Sequence, residues 1–574
     1  MRRRRRTDGP DPGDTVTYGG PMSAFTDALI AVARGTAGMT TGEPREPVRT
    51  SFADLHARAR IGAGALRDRG LRPGDAVAVM AGAPVQVAPA AQAAWLAGAS
   101  VTMLHQPTAR TDLSRFAVET ASVLRVVRAR VVLLGAPFTH LLPMLLEAGI
   151  DAVTVDDLLS GQAPVEPLPA DRPGEIGEEL PALLQLTSGS TATPKAVRIT
   201  HRNVWANIDA MCESAAIVPG QVMVSWLPLF HDMGMIGFLT LPQCRGIEVV
   251  LVTPQDFLSS PLLWLELIDK YRGTLTAAPN FAYALAARVL ARAEGLDLSS
   301  LRFALNGAEP IDATAVRAFL AAGERFGLPS TAVVCAYGMA EATLGVSFHP
   351  WGTPLAVDTV LAADLEERRV AVPVEAGDRP EDAATRAFPL LGPPLRGIEV
   401  AVLGEGGRVL GDREVGTLHL RGESVTEEYL TVDGPVATRD AQGWLDTGDL
   451  GYLVDGRVVV CGRVKDVIIM GGRNIHPTDI ERVAGQVDGV RAGNAVAVRW
   501  TASGGRESFA VAVESRAAGD PAEVERITAG IRSAVTTAIG ARPATVAVLP
   551  VGSLPKTPSG KLRRAAAREL ITPA

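Results

Sequence analysis

A chain of 574 residues is longer than one hydrophobic core can organise, so two or more domains are expected. With 47% hydrophobic and 21% charged residues, the composition is that of a packed globular protein and excludes a disordered or fibrous one. Four cysteines at widely spaced positions, with no Cys-x-x-Cys pair or neighbouring His cluster, argue against a disulfide framework and a structural zinc site, and a net charge of −7 is spread unevenly along the chain.

The chain opens on Arg2 to Arg6, which resembles the charged end of an export signal, but Thr7 to Gly20 is rich in Asp, Gly and Pro where an apolar core would be needed. Residues 1–21 are therefore expected to be a disordered leader, with Met22 as an alternative start and the arginine run simply solvated. The uncharged stretch Ala76 to Leu104 is Ala-rich and interrupted by Pro84, Gln86, Pro89 and Gln92, so it reads as strand, helix, strand and not as a membrane span. No nucleic-acid partner is expected, and a cytoplasmic location is.

Through the first two-thirds, short apolar strands alternate with helical patterns: Ala76–Met80 then Val85–Ala97, Val131–Leu134 then Thr139–Ala148, Val249–Val252 then Pro261–Tyr271. That alternation predicts an α/β fold of parallel sheets covered by helices. From about Phe388 the texture changes to short strands, at Glu399–Leu403, Gly416–Arg421 and Gly456–Cys461, which predicts a β-rich subdomain. Beyond Gly462-Arg463 a compact α+β domain is expected, with helices near Thr478–Val487 and Pro521–Ile539 and strands at Ala495–Arg499, Ser508–Val513 and Thr545–Leu549. The expected organisation is an N-terminal domain over 22–462, a junction at 463–466 and a C-terminal domain over 467–574. From Asp466 onward fourteen Lys and Arg face ten Asp and Glu, a net +4 that suits an acidic partner.

Only five of the 56 basic residues are lysine, and four of them, Lys195, Lys465, Lys556 and Lys561, sit in glycine- and proline-punctuated segments. A compact ammonium on a flexible stem suits a phosphate or a developing anion. Lys270 falls in an ordinary amphipathic stretch and reads as a solvated helix residue. Lys195 closes a loop that follows the apolar strand Ala182–Leu186, in which Thr187, Ser188, Gly189, Ser190 and Thr191 offer hydroxyls and backbone N–H groups to an anion. The loop lacks the G-x-x-x-x-G-K-[ST] spacing, and no dinucleotide G-x-G-x-x-G is in place.

Five segments in this order, Thr187–Lys195, Tyr337–Glu341, Trp444–Leu450, Gly462–Asp466 and Pro555–Lys561, resemble the acyl-adenylating superfamily of acyl-CoA synthetases, peptide-synthetase adenylation domains and luciferases. The resemblance runs from about Pro21 to the end. Within that superfamily, Trp226–Ile236, Ala278–Tyr283, Asn306–Pro310, Ala342–Leu344 and Gly472–Pro477 resemble the fatty acyl-AMP ligases. Those enzymes carry an insertion that hinders the domain rotation needed for CoA chemistry, and the long, charged, irregular segment 348–391 is its expected counterpart.

The resemblance implies ATP and Mg²⁺ as cofactors and a mobile C-terminal lid turning about Lys465. It implies that Thr187 to Thr191 and Lys195 grip the outer phosphates, and that Glu341 helps hold Mg²⁺. Asn306, Gly307, Ala308 and Glu309 would form the adenine slot with Tyr337, beside Gly338 and Met339. Asp449 would accept the ribose hydroxyls and Arg463 would be a second ribose contact. Lys561 would be the catalytic cation between carboxylate and α-phosphate. His231 lies where the family has a group near the acyl carboxylate, or else caps the helix that Asp232 begins. Met233, Met235, Asn280, Phe281, Met339 and Leu344 would line the acid pocket, or belong to the core. Departures from the superfamily pattern are Ala340, Ala192, Ala196 and His476; none removes a charged group. The expected activity is ATP-dependent activation of a hydrophobic carboxylic acid to an acyl adenylate, for transfer to a carrier-protein phosphopantetheine. An acyl-CoA synthetase is the first alternative and a non-catalytic nucleotide-binding module the second. Lys556 receives no role.

Overall fold

The structure, a computed structural model, describes residues 23–107, 113–161, 177–187, 194–374, 384–470, 473–501, 507–556 and 562–571. The expected leader lies outside them. Two eight-stranded sheets dominate the large N-terminal domain. One takes the strands in the spatial order Gly345–Phe348, Val333–Gly338, Phe303–Asn306, Leu275–Ala278, Val222–Ser225, Glu248–Leu251, Gly38–Thr41, Val48–Ser51. The other is built around Pro181–Leu186, Ser100–Met103, Ala76–Met80 and Ala129–Leu134. Their central strands run parallel and are buried on both faces, which is why Ala76–Met80 reads as an unbroken apolar run. Helices Phe52–Asp68, Pro84–Leu96 and His201–Ser214 pack between and around the sheets.

The β-rich subdomain is a four-stranded sheet in the order Ile398–Leu403, Gly416–Gly422, Leu445–Val454, Arg457–Arg463, with its own core around Val360, Phe388, Tyr452 and Val459. The C-terminal domain has a separate core. Its sheet of Ala495–Thr501, Glu507–Glu514 and Thr545–Leu549 packs Phe509, Val511 and Val513 against the helices Pro477–Gly485 and Pro521–Ile539. The opposite face of that sheet is covered by Leu554, Ala567 and Ile571 from the chain end.

Two expectations need correction. The described residues of the segment 348–391, all but 375–383, are ordered into regular elements: Val357–Leu361 pairs antiparallel with Thr385–Pro389, and a turn of wide i→i+5 geometry at Asp364–Arg368 buries Leu365 and Glu366. Its alternating Val, Leu and Phe residues fill the subdomain core, a pattern hidden in sequence by the charges between them. Nor is Lys270 merely solvated. Its ammonium and the Tyr271 hydroxyl both bond the carboxylate of Glu43, which is 5% exposed, so burial of that anion demands the pair.

One clamp ties a helix to an edge strand. Helix His201–Ser214 starts in a capping box between Thr200 and Asn203. Further along it, buried Asn207 donates to Gly345 O at 2.8 Å and accepts from Gly345 N at 3.0 Å. This fixes the residue that immediately follows the Met339–Leu344 turn. Asn207→Ala would orphan two buried backbone groups and is expected to lower stability by about 2–4 kcal/mol in urea unfolding. A loss below about 0.5 kcal/mol would contradict the clamp.

Candidate active site

Four parallel strands deliver the candidate residues to one crevice. Val222–Ser225, Leu275–Ala278, Phe303–Asn306 and Val333–Gly338 share a direction, and the segments leaving their carboxyl ends begin at Trp226, Pro279, Gly307 and Met339. In open α/β sheets this is where ligands bind. Thr187 leaves the carboxyl end of Pro181–Leu186 in the other sheet, whose antiparallel return is Ala196–Thr200. Thr187 Oγ1 is buried without a hydrogen-bond partner among the described residues. Ser188, Gly189, Ser190 and Thr191 lie outside the described residues, as does Lys561.

Tyr337, at the end of its strand, donates its hydroxyl to Asp449 Oδ2 at 2.6 Å. Asp449 in turn pairs with Arg463 Nε at 2.8 Å, the two facing each other across neighbouring antiparallel strands. Burial pushes the Asp449 carboxyl above the usual carboxylate range, with Arg463 and the Tyr337 hydroxyl pulling it back. The same burial, with Asp449 alongside, pushes the Tyr337 phenol well up, so it remains a neutral donor. Residues expected to contact base and ribose thus form one connected chain, a link the sequence did not reveal.

Beside Tyr337, Asn306 is fully buried at the end of its strand, its Nδ2 on Asn280 Oδ1 at 3.2 Å and its Oδ1 without a partner among the described residues. Asn280 Oδ1 also accepts from Asp312 N at 3.2 Å, and Glu309 Oε1 accepts from Phe281 N at 2.6 Å. Asn280 and Phe281, expected in the acid pocket, are therefore tied to the Asn306–Glu309 loop. Ala308 there holds φ +68°.

Glu341 sits on a short 3₁₀ turn, Ala340–Ala342, that ends in Thr343 at φ +71° and ψ −60°. A β-branched residue at positive φ costs about 1–3 kcal/mol and persists only where its surroundings over-determine it. Here they do. Thr343 Oγ1 donates to Ser424 O at 2.7 Å, Thr426 N donates to Glu341 O at 2.7 Å, and Gly345 is held by Asn207. At the tip, Glu341 Oε1 accepts the Tyr429 hydroxyl at 2.7 Å, and Lys195 Nζ lies 3.5 Å from the Tyr429 ring centroid. Burial pushes the Lys195 ammonium down; Glu341 opposes this, while Lys465 and Arg463 add to it. Lys195, Glu341, Tyr429 and the junction residues therefore share one electrostatic neighbourhood. Tyr429 was missed in the sequence, although tyrosine is nearly as scarce as lysine, at six residues.

Asp232 Oδ1 accepts from Met233 N at 2.7 Å and so caps the helical segment Met233–Thr240, and His231 Nδ1 lies 2.6 Å from the same oxygen. The cap belongs to Asp232, and the His231 side chain keeps 19% exposure near His105, whose ring packs edge-on against Phe230. Met233 and Met235 are buried in that segment; Leu344 and Met339 are half-buried.

The C-terminal domain stands over this crevice. Burial pushes the Lys556 ammonium down, opposed by Glu514 and, from the large domain, Glu309. Lys556 and Leu562 form a β-bridge, and Arg563 N donates to Pro555 O at 2.9 Å, so both ends of the segment bearing Lys561 are fixed. Arg564 ties that base to the junction, bonding Asp466 at 2.9 Å and Glu481 at 2.8 Å. Lys465 lies in the 3₁₀ turn Val464–Asp466.

Known proteins share the sequence pattern and the fold of this chain. The family model for AMP-binding enzymes matches residues 30–430. A Mycobacterium tuberculosis protein named as a ligase of unstated substrate, Rv1013, is 53% identical over 557 residues, covering 96% of this chain and 100% of its own length. The medium-chain-fatty-acid–[acyl-carrier-protein] ligase JamA of Moorena producens is 34% identical over 406 residues, 69% of this chain and 68% of its own. A solved structure from work on fatty acyl-adenylate ligases of E. coli and L. pneumophila superposes with a TM-score of 0.85 at 31% identity, covering 96% of this chain and 98% of that one. Among the described residues no helix is long and apolar enough to cross a membrane. The chain belongs to the AMP-binding enzyme family and is an ATP-dependent acyl-adenylating ligase of the fatty acyl-AMP ligase type.

Proposed function

We propose that this ligase activates a hydrophobic carboxylic acid with ATP and Mg²⁺ and passes the acyl group to the phosphopantetheine thiol of an acidic carrier protein. The observation that carries the acceptor assignment is the docking of the C-terminal domain on the 348–391 segment. Glu366, 4% exposed, pairs with Arg473 at 2.7 Å and accepts from Asn474 Nδ2 through its backbone oxygen at 2.9 Å; Arg386, 7% exposed, pairs with Asp479 at 2.9 Å. Parting the domains would break two ion pairs whose large-domain partners are buried, so rotation toward a free-CoA geometry is opposed. The net positive charge beyond Asp466 favours an acidic carrier.

In this reading Asp449 accepts the ribose hydroxyls, Arg463 holds Asp449 ionised, and Tyr337 packs along the base. The orphaned Asn306 Oδ1 is the acceptor that an exocyclic amine would satisfy. Among the described residues no cluster of three metal-ligating side chains exists, and a single carboxylate, Glu341, faces the phosphate-loop lysine. That donor set fits Mg²⁺, which is bound through one or two carboxylates together with substrate phosphates. Glu341 would hold the ion, which would supply charge neutralisation to the phosphates. Lys195 supplies a cation at the same end, and Lys561, on the lid segment, supplies the mobile charge at the reacting centre. His231 orients the acid carboxylate.

Lys561→Ala is expected to lower acid-dependent pyrophosphate release by roughly 10²–10³-fold; near-normal release would remove Lys561 from the mechanism. Asp449→Asn should weaken ATP binding by about 10–100-fold. Because the Asp449 carboxyl is raised by burial, wild-type affinity should also fall on acidification while the Asn variant stays flat; a parallel pH profile in both would contradict the ribose assignment. Offered holo-carrier and CoA side by side, the enzyme should load the carrier faster. An equal or faster CoA rate would favour the acyl-CoA synthetase reading.

A further inference from the structure

Tyr429 stands between the two charged groups assigned to the metal–triphosphate site. Strand Glu428–Thr431 pairs antiparallel with Ala196–Thr200, Tyr429 opposite Val197, which sets Tyr429 diagonally across from Lys195. The phenol then serves both neighbours with different parts of itself. Its O–H donates to Glu341 Oε1 at 2.7 Å, and its ring face lies under Lys195 Nζ at 3.5 Å. Burial and the Glu341 charge hold the phenol proton on, so it acts only as a donor toward the carboxylate.

Glu341 is near enough to favour the charged form of Lys195, yet no ion pair joins the two among the described residues. In a partly desolvated crevice, opposite charges at such range collapse together unless something occupies the space between. A direct Lys–Glu pair would consume the cation needed for phosphate oxygens and the anion needed for a metal. The aromatic face offers the ammonium an attraction that leaves its three N–H groups unspent. The hydroxyl occupies one carboxylate oxygen; the other carries no hydrogen bond among the described residues.

We infer that Tyr429 is a positioning residue of the metal–phosphate site, a spacer that keeps Lys195 and Glu341 apart and orients the Glu341 carboxylate for a divalent cation. The inference rests on the assignment of Lys195 and Glu341 to ATP and Mg²⁺. Groups that hydrogen-bond a metal-ligating carboxylate fix its orientation, and their loss costs roughly 10–100-fold in metal affinity. The ring and the hydroxyl have separable consequences, which gives the test.

ATP binding to the full chain is measured by calorimetry without acid substrate, with Mg²⁺ absent and then titrated. Tyr429→Phe keeps the ring and removes the donor. It should leave metal-free ATP affinity within about twofold of wild type and raise the Mg²⁺ concentration giving half-maximal enhancement by roughly 10–100-fold. Tyr429→Leu removes the ring as well, so Lys195 closes on Glu341 and metal-free affinity should drop by roughly tenfold. The near-isosteric Phe variant keeps the result readable if the Leu variant fails to fold. An unchanged Mg²⁺ midpoint in Tyr429→Phe, or an equal loss with and without metal, overturns the spacer role while the site assignment stands. Wild-type binding that Mg²⁺ does not enhance overturns the site assignment and the spacer role together.

Discussion

The strained turn from Met339 to Leu344 is the constraint on which the site depends. Thr343 adopts a backbone conformation that a β-branched residue avoids, and the cost is met by contacts from three directions: Ser424 on its hydroxyl, Thr426 on the Glu341 carbonyl, and Asn207 on Gly345. Those contacts come from the β-rich subdomain and from a helix packed against the central sheets. The turn is therefore where separate parts of the fold are reconciled, and Glu341 is held at its tip.

From that turn the site extends in two connected arms. One runs from Glu341 through the Tyr429 hydroxyl and ring to Lys195, so that the carboxylate and the ammonium flank one side chain. The other runs from Tyr337 through Asp449 to Arg463, the last residue of its strand, so that the end of the Val333–Gly338 strand is bonded to the segment that leads into the C-terminal domain. Arg564 carries the connection on to the lid by bonding Asp466. The physical logic is that of a buried polar network: each charged group is costly alone and acceptable only with its partner in place.

Much of this was legible in the sequence. The alternation of apolar strands and helices indicated the α/β class, and the compact end after Gly462 indicated a separate C-terminal domain, because strand and helix periods are local properties. The ordered motifs pointed to Lys195, Glu341, Tyr337, Asp449 and Arg463, which the fold brings into one crevice. What stayed hidden is pairwise and long-range. Nothing near Tyr429 announces that it will meet Glu341, 88 positions away, and nothing near Lys270 announces Glu43, 227 positions away. The 348–391 segment looked irregular because its apolar residues are diluted by charges, yet those charges include Glu366 and Arg386, which meet the lid.

The central claim is that this crevice joins a carboxylic acid to AMP using Glu341 on the metal–phosphate side. Acid-dependent ATP–pyrophosphate exchange, run on the wild type and Glu341→Gln across linear, branched and polycyclic acids, tests it most directly. The account predicts exchange with at least one hydrophobic acid and its loss by roughly 10²-fold or more in the variant. Exchange with none of the acids, or an unaffected variant, would contradict it.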